Sequence, residues 1–296
     1  MTAVETHTET SPLTGATTAV RGGMDETVIA KRTGWQAVNL SELWRYRELL
    51  FFFTWRDVKV KYKQTALGVA WAVIQPVATM VIFAVVFGRL VGLNRYTGDT
   101  PYAIFVFSGL IPWGLFAASM NSAGNSLVAE SHIITKIYFP RLIVPIASVG
   151  AAVIDFAVAS LVLLAAMLAC GVVPGIAVLM LPVFLALLLL TALSGGILIS
   201  ALSVSYRDFR YVVPFGIQCL FYLTPVIYPA DLIPERFRWL AHVNPMTTVI
   251  DGFRYCLIGG TLDWSSVALS AAVSGLLFVA SVLYFRRVEA TFADVI

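Results

Sequence analysis

From Phe156 to Tyr206 the chain carries no Lys, Arg, Asp or Glu. Soluble domains keep roughly a quarter of their residues charged, so a run of this length has no place on a water-facing surface. In hydrocarbon the backbone must satisfy its own hydrogen bonds, which a helix does within itself. A helix needs roughly 20 apolar residues to cross a bilayer. Six stretches meet that length, at 66–89, 102–128, 142–170, 176–204, 211–229 and 265–285. With 59% hydrophobic and 12% charged residues over the whole chain, the expectation is an all-α integral membrane protein of six transmembrane helices.

The charged residues then set the topology. Positive charge gathers in cytoplasmic loops. With an inside start, the inside segments hold fifteen of the twenty Lys and Arg, and the outside loops hold Arg89, Arg95, Arg236, Arg238 and Arg254. Both termini are therefore expected in the cytoplasm. The same bias explains a net charge of +3 without any nucleic-acid partner. Cys170, Cys219 and Cys256 have neither disulfide-framework nor metal-ligand spacing and read as small packing residues.

Before the first span lie two different segments. Residues 1–40 are rich in Thr, Gly and Ala with no apolar run, and read as a disordered cytoplasmic tail. Residues 41–63 mix rings with cations: Trp44, Arg45, Arg47, Trp55 and Arg56 suit a helix lying in the headgroup layer. The remainder, 64–296, is one six-span membrane domain with no stretch polar enough to fold as an ATPase.

Within the first span Trp71, Gln75, Thr79 and Phe83 recur every four residues. In the fifth, Phe215, Gln218 and Tyr222 share one helical arc with Tyr211 and Pro225, and Tyr228 lies toward its edge. A buried amide is costly unless it meets water, protein or substrate, so these faces are candidates for lining a passage. Asp155 is the only acid of the third span and could be a proton site, or be paired, protonated, or near an aqueous end. Ser194-Gly195-Gly196, with Ser200 and Ser203, equips the fourth span for close helix packing.

Two connecting segments carry further patterns. Residues 126–145, between the second and third spans, hold Glu130, His132, Lys136 and Arg141 among apolar residues at helical intervals, bounded by Pro140 and Pro145. A short amphipathic helix fits, and a partner contact is expected there. The outer segment 230–262 is too apolar for a simple loop. It contains two short helical patterns divided at Asn244-Pro245 and closed by Gly259-Gly260, which suggests either a re-entrant pair dipping in from the outer face or an external cap on that surface.

Five blocks in order carry a family resemblance: RDVKVKYKQTALGVAWAVIQP at 56–76, ITKIYFPRLIVP at 134–145, YRDFRY at 206–211, FYLTPVIYP at 221–229 and NPMTTVIDGFRYCLIGG at 244–260. Together they resemble the membrane subunits of ABC-2 transporters, and within them the exporters of O-antigen, teichoic acid and capsular polysaccharide. The resemblance implies a homodimer of six-span subunits in the membrane lipid, each docked to a cytoplasmic ABC ATPase, exporting a lipid-linked polysaccharide. It implies a coupling helix near 128–138, with Glu130, His132, Lys136, Tyr138 and Arg141 as ATPase-coupling candidates. It also implies an outer gate to which Pro234, Phe237, Asn244, Pro245, Asp251 and Arg254 would belong.

No G-x-x-x-x-G-K-[ST] phosphate loop occurs in the chain. ATP and its Mg are thus expected on the partner, with no catalytic residue, metal or cofactor on this chain. Sugar rings pack their CH-rich faces on Trp, Tyr and Phe, so an aromatic passage lets a glycan slide through many weak contacts. The alternatives are an ABC-2 exporter of a drug or small lipid, and a proton-coupled secondary transporter centred on Asp155.

Overall fold

The computed structural model describes residues 44–63, 70–98, 100–206, 208–289 and 292. The expected tail 1–40 and the first residues of the interface helix lie outside these. The described residues form helices joined by short turns, with no strand among them. Five helices are long and apolar enough to cross a membrane: Ala70–Leu90, Tyr102–Ala129, Ile143–Ala169, Ile176–Ser205 and Trp264–Val288.

In chain order, α1 is Arg47–Lys63. The first spanning helix is α2, Ala70–Phe83, which accommodates Pro76 internally and continues as a π-helical turn, Ala84–Leu90. Next comes α3, Tyr102–Ala129, the central helix of the fold, packed on most of the others. A single turn, α4 (Ser131–Ile134), follows. The third span is broken into α5 (Ile143–Ser148) and α6 (Gly150–Ala169). The fourth ends as α7, Leu181–Ser205. After it stand α8 (Phe209–Leu223), the short pair α9 (Glu235–Val243) and α10 (Pro245–Ile258), and the last span α11 (Trp264–Val288).

Two expectations need correction. The stretch 211–229 is not one continuous helix. α8 stops at Leu223, because Pro225 disfavours helical geometry at the residue before it, and Thr224 is extended at ψ 136°. Fifteen residues rise only about 22 Å, short of a hydrocarbon core of roughly 30 Å. The helix expected over 128–138 is likewise shorter: α3 absorbs its start, α4 makes one turn, and the rest is turn. The division of the segment into α9 and α10 and the stop after α10 follow the sequence reading closely. Asn244 breaks it with extended backbone, Pro245 occupies the first turn of α10, and Gly259 and Gly260 end it at φ +81° and +111°, which only glycine adopts without strain.

The core runs along α3. Ile104, Phe107, Leu115 and Phe116 pack with Phe184 and Leu188 of α7 and with Val249, Ile250 and Phe253 of α10. Small residues set the α3–α7 spacing: a Cβ on Gly196 would lie 2.5 Å from that of Ala123, so only glycine permits this approach. Hydroxyls stitch α7 to α11, with Thr191 2.8 Å from Ser274 and Ser194 reaching the Ser274 carbonyl at 3.3 Å. Cys256 joins this core, whereas Cys170 and Cys219 lie on the surface.

Candidate functional site

At one end of the bundle, α1 is fastened to three other elements. The Arg56 guanidinium donates to both oxygens of Glu130, at the end of α3, at 2.8 and 2.5 Å, and to Asp57 at 2.8 Å. The bond to Glu130 is the main reason its pKa is raised. The Thr54 hydroxyl donates to the Ala147 carbonyl at 3.0 Å, and Phe53 packs on Phe139 with ring centroids 5.9 Å apart. Lys61 and the Tyr62 hydroxyl both bond the Asp155 carboxylate. Burial, with help from that carboxylate, pushes the Tyr62 phenol up. Asp155 sits about 7 Å into α6 along its axis. The isolated acid of the third span is therefore an ion-pair partner of α1.

The outer surface of α1 is ring and cation. Trp44 is exposed beneath the Arg47 guanidinium at 5.2 Å, Trp55 stacks on Phe51, and Lys59 lies 5.4 Å over the Trp55 ring. Arg45 is exposed on the same segment.

The expected coupling residues divide into two sets. Glu130 is engaged by Arg56. Arg141 is drawn to the end of α11: its amide donates to the Glu289 carboxylate at 3.2 Å, its guanidinium bonds the Glu289 carbonyl, and it stacks on Phe292. His132, Lys136 and Tyr138 are exposed, with Ile137 exposed between the last two. Ile134 and Phe139 are buried and hold the segment down.

On α2, Trp71 and Gln75 are exposed, and the half-buried Thr79 returns its hydroxyl to the Gln75 carbonyl at 2.8 Å. Phe83 stacks on Phe87 and meets Phe221 of α8 edge-on at 6.1 Å. Trp113 of α3 completes that cluster, 5.5 Å from Phe221. On α8 the predicted arc is open: Tyr211, Phe215, Gln218 and Tyr222 are exposed, while Val213 and Ile217 face the core. The Tyr228 hydroxyl donates to the Tyr222 carbonyl at 3.1 Å. Sequence reasoning missed Trp113 and Phe221, which lie off the selected arcs.

At the opposite end, the non-helical segment after α8 is held by side chains from α3 and α10. Arg254, 6% exposed, donates to the Pro225 carbonyl at 2.8 Å and the Val226 carbonyl at 2.6 Å. Its guanidinium lies 3.9 Å over the Phe105 ring, and Asp251 approaches at 3.8 Å. The Tyr102 hydroxyl donates to the Ile227 carbonyl at 2.6 Å. The Asn244 amide donates to the Thr224 hydroxyl at 2.8 Å, and its carbonyl oxygen caps α10 by accepting from the Met246 amide at 3.1 Å. Pro234 and Phe237 remain exposed on α9, with Arg236 stacked on Phe237. Between this pair, Tyr96, Thr97 and Thr100, and the start of α11 lies an open basin of about 590 Å³, lined by Asp231, Asp251, Asp263, Arg238, Thr247 and Tyr255 among others. Beside it the Asp263 carboxyl, capping α11, is held down to about 2 by bonds from Ser266 and Ser265.

The sequence pattern of the family described as "ABC-2 type transporter" matches residues 48–258. The chain belongs to the ABC-2 type transporter family. Its similarity to individual members extends further than that pattern. This ABC-2 chain is 29% identical to the O-antigen export system permease protein RfbA of Klebsiella pneumoniae, over 84% of its own length and 95% of that protein. It is 27% identical to the RfbA of Myxococcus xanthus over the same shares, and 23% identical to the polysialic acid transport protein KpsM of Escherichia coli over 79% and 92%. The inner membrane transport permease YadH of Escherichia coli (strain K12) is 30% identical over 63% of this chain and 75% of its own. The ABC-2 chain is thus a multi-pass membrane protein whose relatives are transport permeases.

Proposed function

We propose that this chain is the permease subunit of an ATP-driven exporter that moves a lipid-linked polysaccharide outward across the cytoplasmic membrane. Similarity over 95% of an O-antigen export permease carries this reading. It works as a homodimer, each copy docked to a separate ABC ATPase that binds ATP and Mg. The chain itself has no phosphate loop, so the drive comes from the partner. Both termini are cytoplasmic, and α1 lies along the inner headgroup layer.

The sixth crossing is α8 together with the non-helical segment 224–229. Irregular backbone at membrane depth is tolerated where protein satisfies it, and Arg254 and Tyr102 supply the bonds. The exposed His132, Lys136, Ile137 and Tyr138 meet the ATPase. Arg56 and Glu130 carry the motion of that contact into α1, and Lys61 and Tyr62 carry it on to α6 through Asp155. The open arc of α8 and the exposed face of α2 line the glycan path, and α9–α10 form its outer gate. Asp155 is spent on Lys61 and Tyr62, which counts against a proton-coupled mechanism.

The test replaces Trp71, Phe215 and Tyr222 by Ala and follows export of a lipid-linked glycan from vesicles holding the chain and its ATPase. Export is expected to fall at least tenfold with the assembly intact. Unchanged glycan export, or transport confined to drugs or small lipids, would sink the reading.

A further inference from the structure

We infer that the exported glycan is uncharged, and that the basin at the α9–α10 end binds its sugars. The inference rests on the glycan reading above and narrows it. Two separate regions carry it. The first is the path. From Trp71 to Gly88 and from Tyr211 to Pro229 the chain has no charged residue at all. A polyanion crossing low-dielectric surroundings requires cations to offset its lost hydration. Besides aliphatic side chains such as Val73, Ile82 and Val212, the exposed groups in these stretches are the rings of Trp71, Phe215 and Tyr222 and the amides of Gln75 and Gln218, which suit the CH faces and hydroxyls of neutral sugars.

The second region is the basin. Its volume of about 590 Å³ lies within the range of roughly 300–1,000 Å³ typical of small-ligand sites. Of its cations, Arg254 is turned toward protein, while Arg238 is exposed and only its Nε meets a carbonyl. Arg254 spends both terminal nitrogens on the Pro225 and Val226 carbonyls, and Arg238 donates to the Ile233 carbonyl at 3.4 Å. His242 is bonded to Ser266, whose single hydroxyl proton goes to Asp263, so the His242 Nδ1 must be the donor. What faces the opening is acceptor-rich. Asp231 is exposed and makes no ion pair among the described residues, and the Asp251 side chain is 38% exposed. Beneath them Thr247 lines the basin, its buried hydroxyl without a partner among the described residues. Carboxylates accept from neighbouring sugar hydroxyls and repel a carboxylated or phosphorylated sugar.

The full-length protein in lipid nanodiscs is titrated with a neutral hexose trisaccharide and with a sialic acid trisaccharide, bound sugar being read by saturation-transfer NMR. The neutral sugar is expected to bind and the acidic one not. Asp231→Lys, at an exposed position that leaves the fold undisturbed, is expected to weaken the neutral sugar about tenfold and to admit the acidic one. Asp251→Asn is expected to act in the same direction. Equal or tighter binding of the acidic sugar by the unmutated protein, or neutral binding indifferent to Asp231→Lys, would overturn the inference while leaving glycan export standing. Binding of neither sugar would likewise overturn the inference, whereas the glycan reading falls only if the vesicles described above fail to export a lipid-linked glycan.

Discussion

Arg56 of α1 and Glu130 at the end of α3 face each other as a two-pronged ion pair, with nitrogen–oxygen distances of 2.8 and 2.5 Å. The pair joins α1 to the start of the loop proposed to meet the ATPase. Planar guanidinium and carboxylate match in this geometry, which makes the contact directional as well as attractive. Arg56→Gln or Glu130→Gln is each expected to lower stability by about 1–2 kcal/mol. The exchange Arg56→Glu with Glu130→Arg is expected to recover at least half of the combined loss. Thermal unfolding in detergent measures this, and strictly additive losses would show that the two residues do not act together.

Exposed and engaged residues of the same loop should behave differently. Lys136→Glu and Tyr138→Ala alter side chains that face outward, so the melting temperature is expected to stay within about 1 °C. ATP hydrolysed per glycan exported is expected to rise severalfold. A drop in melting temperature without loss of coupling would move the docking surface elsewhere.

Asp155→Asn keeps an acceptor for Tyr62 but removes the charge that pairs with Lys61. Export is expected to continue under ATP and to be indifferent to an ionophore that collapses the proton gradient, in mutant and parent alike. Ionophore-sensitive export in the parent that Asp155→Asn abolishes would restore the proton site.

Arg254 has no conservative replacement. Removing it strands two buried carbonyls at about 1–3 kcal/mol each and uncovers the Phe105 ring. Arg254→Met is expected to cost several kcal/mol, and Arg254→Lys to recover little, because one ammonium does not reproduce the planar fork. Full stability in the Lys variant would contradict this role.

The α11 cap should resist acid. The Asp263 carboxyl is lowered to about 2, so the stability it supplies is present above its ordinary value near 4 and is lost only as pH falls through about 2. Hydrogen exchange at the Ser265 amide is expected to remain protected from pH 7 down to pH 4, and Asp263→Ala to remove that protection throughout. Deprotection already at pH 5 in the parent would count against the cap.

Much of this arrangement was readable from residue types alone. Five of the six expected spans correspond to helices of spanning length, since apolar length is a local property. The break at Asn244-Pro245 and the stop at Gly259-Gly260 were likewise local, because proline and glycine constrain the backbone wherever they occur. The end of α8 escapes a reading by residue type for the opposite reason. Thr224 to Pro229 carries no charge to end a span, and hydropathy does not register that Pro225 diverts the backbone or that Arg254 accepts the diversion. The partners of Glu130 and Asp155 were hidden because each lies far along the chain, on α1, and a single sequence holds no record of which distant charges meet. The open arc of α8 was found by periodicity, whereas Trp113 and Phe221 join it through a contact between helices.

Reconstitution of the chain with its partner ATPase in vesicles loaded with a fluorescent lipid-linked neutral glycan tests the proposed function most directly. The expected result is delivery of the glycan to the opposite face only when ATP is hydrolysed, with loss of delivery when the partner's phosphate loop is disabled and no effect of an ionophore. Glycan that stays in place under ATP while a drug or short-chain lipid is moved by the same vesicles would contradict it.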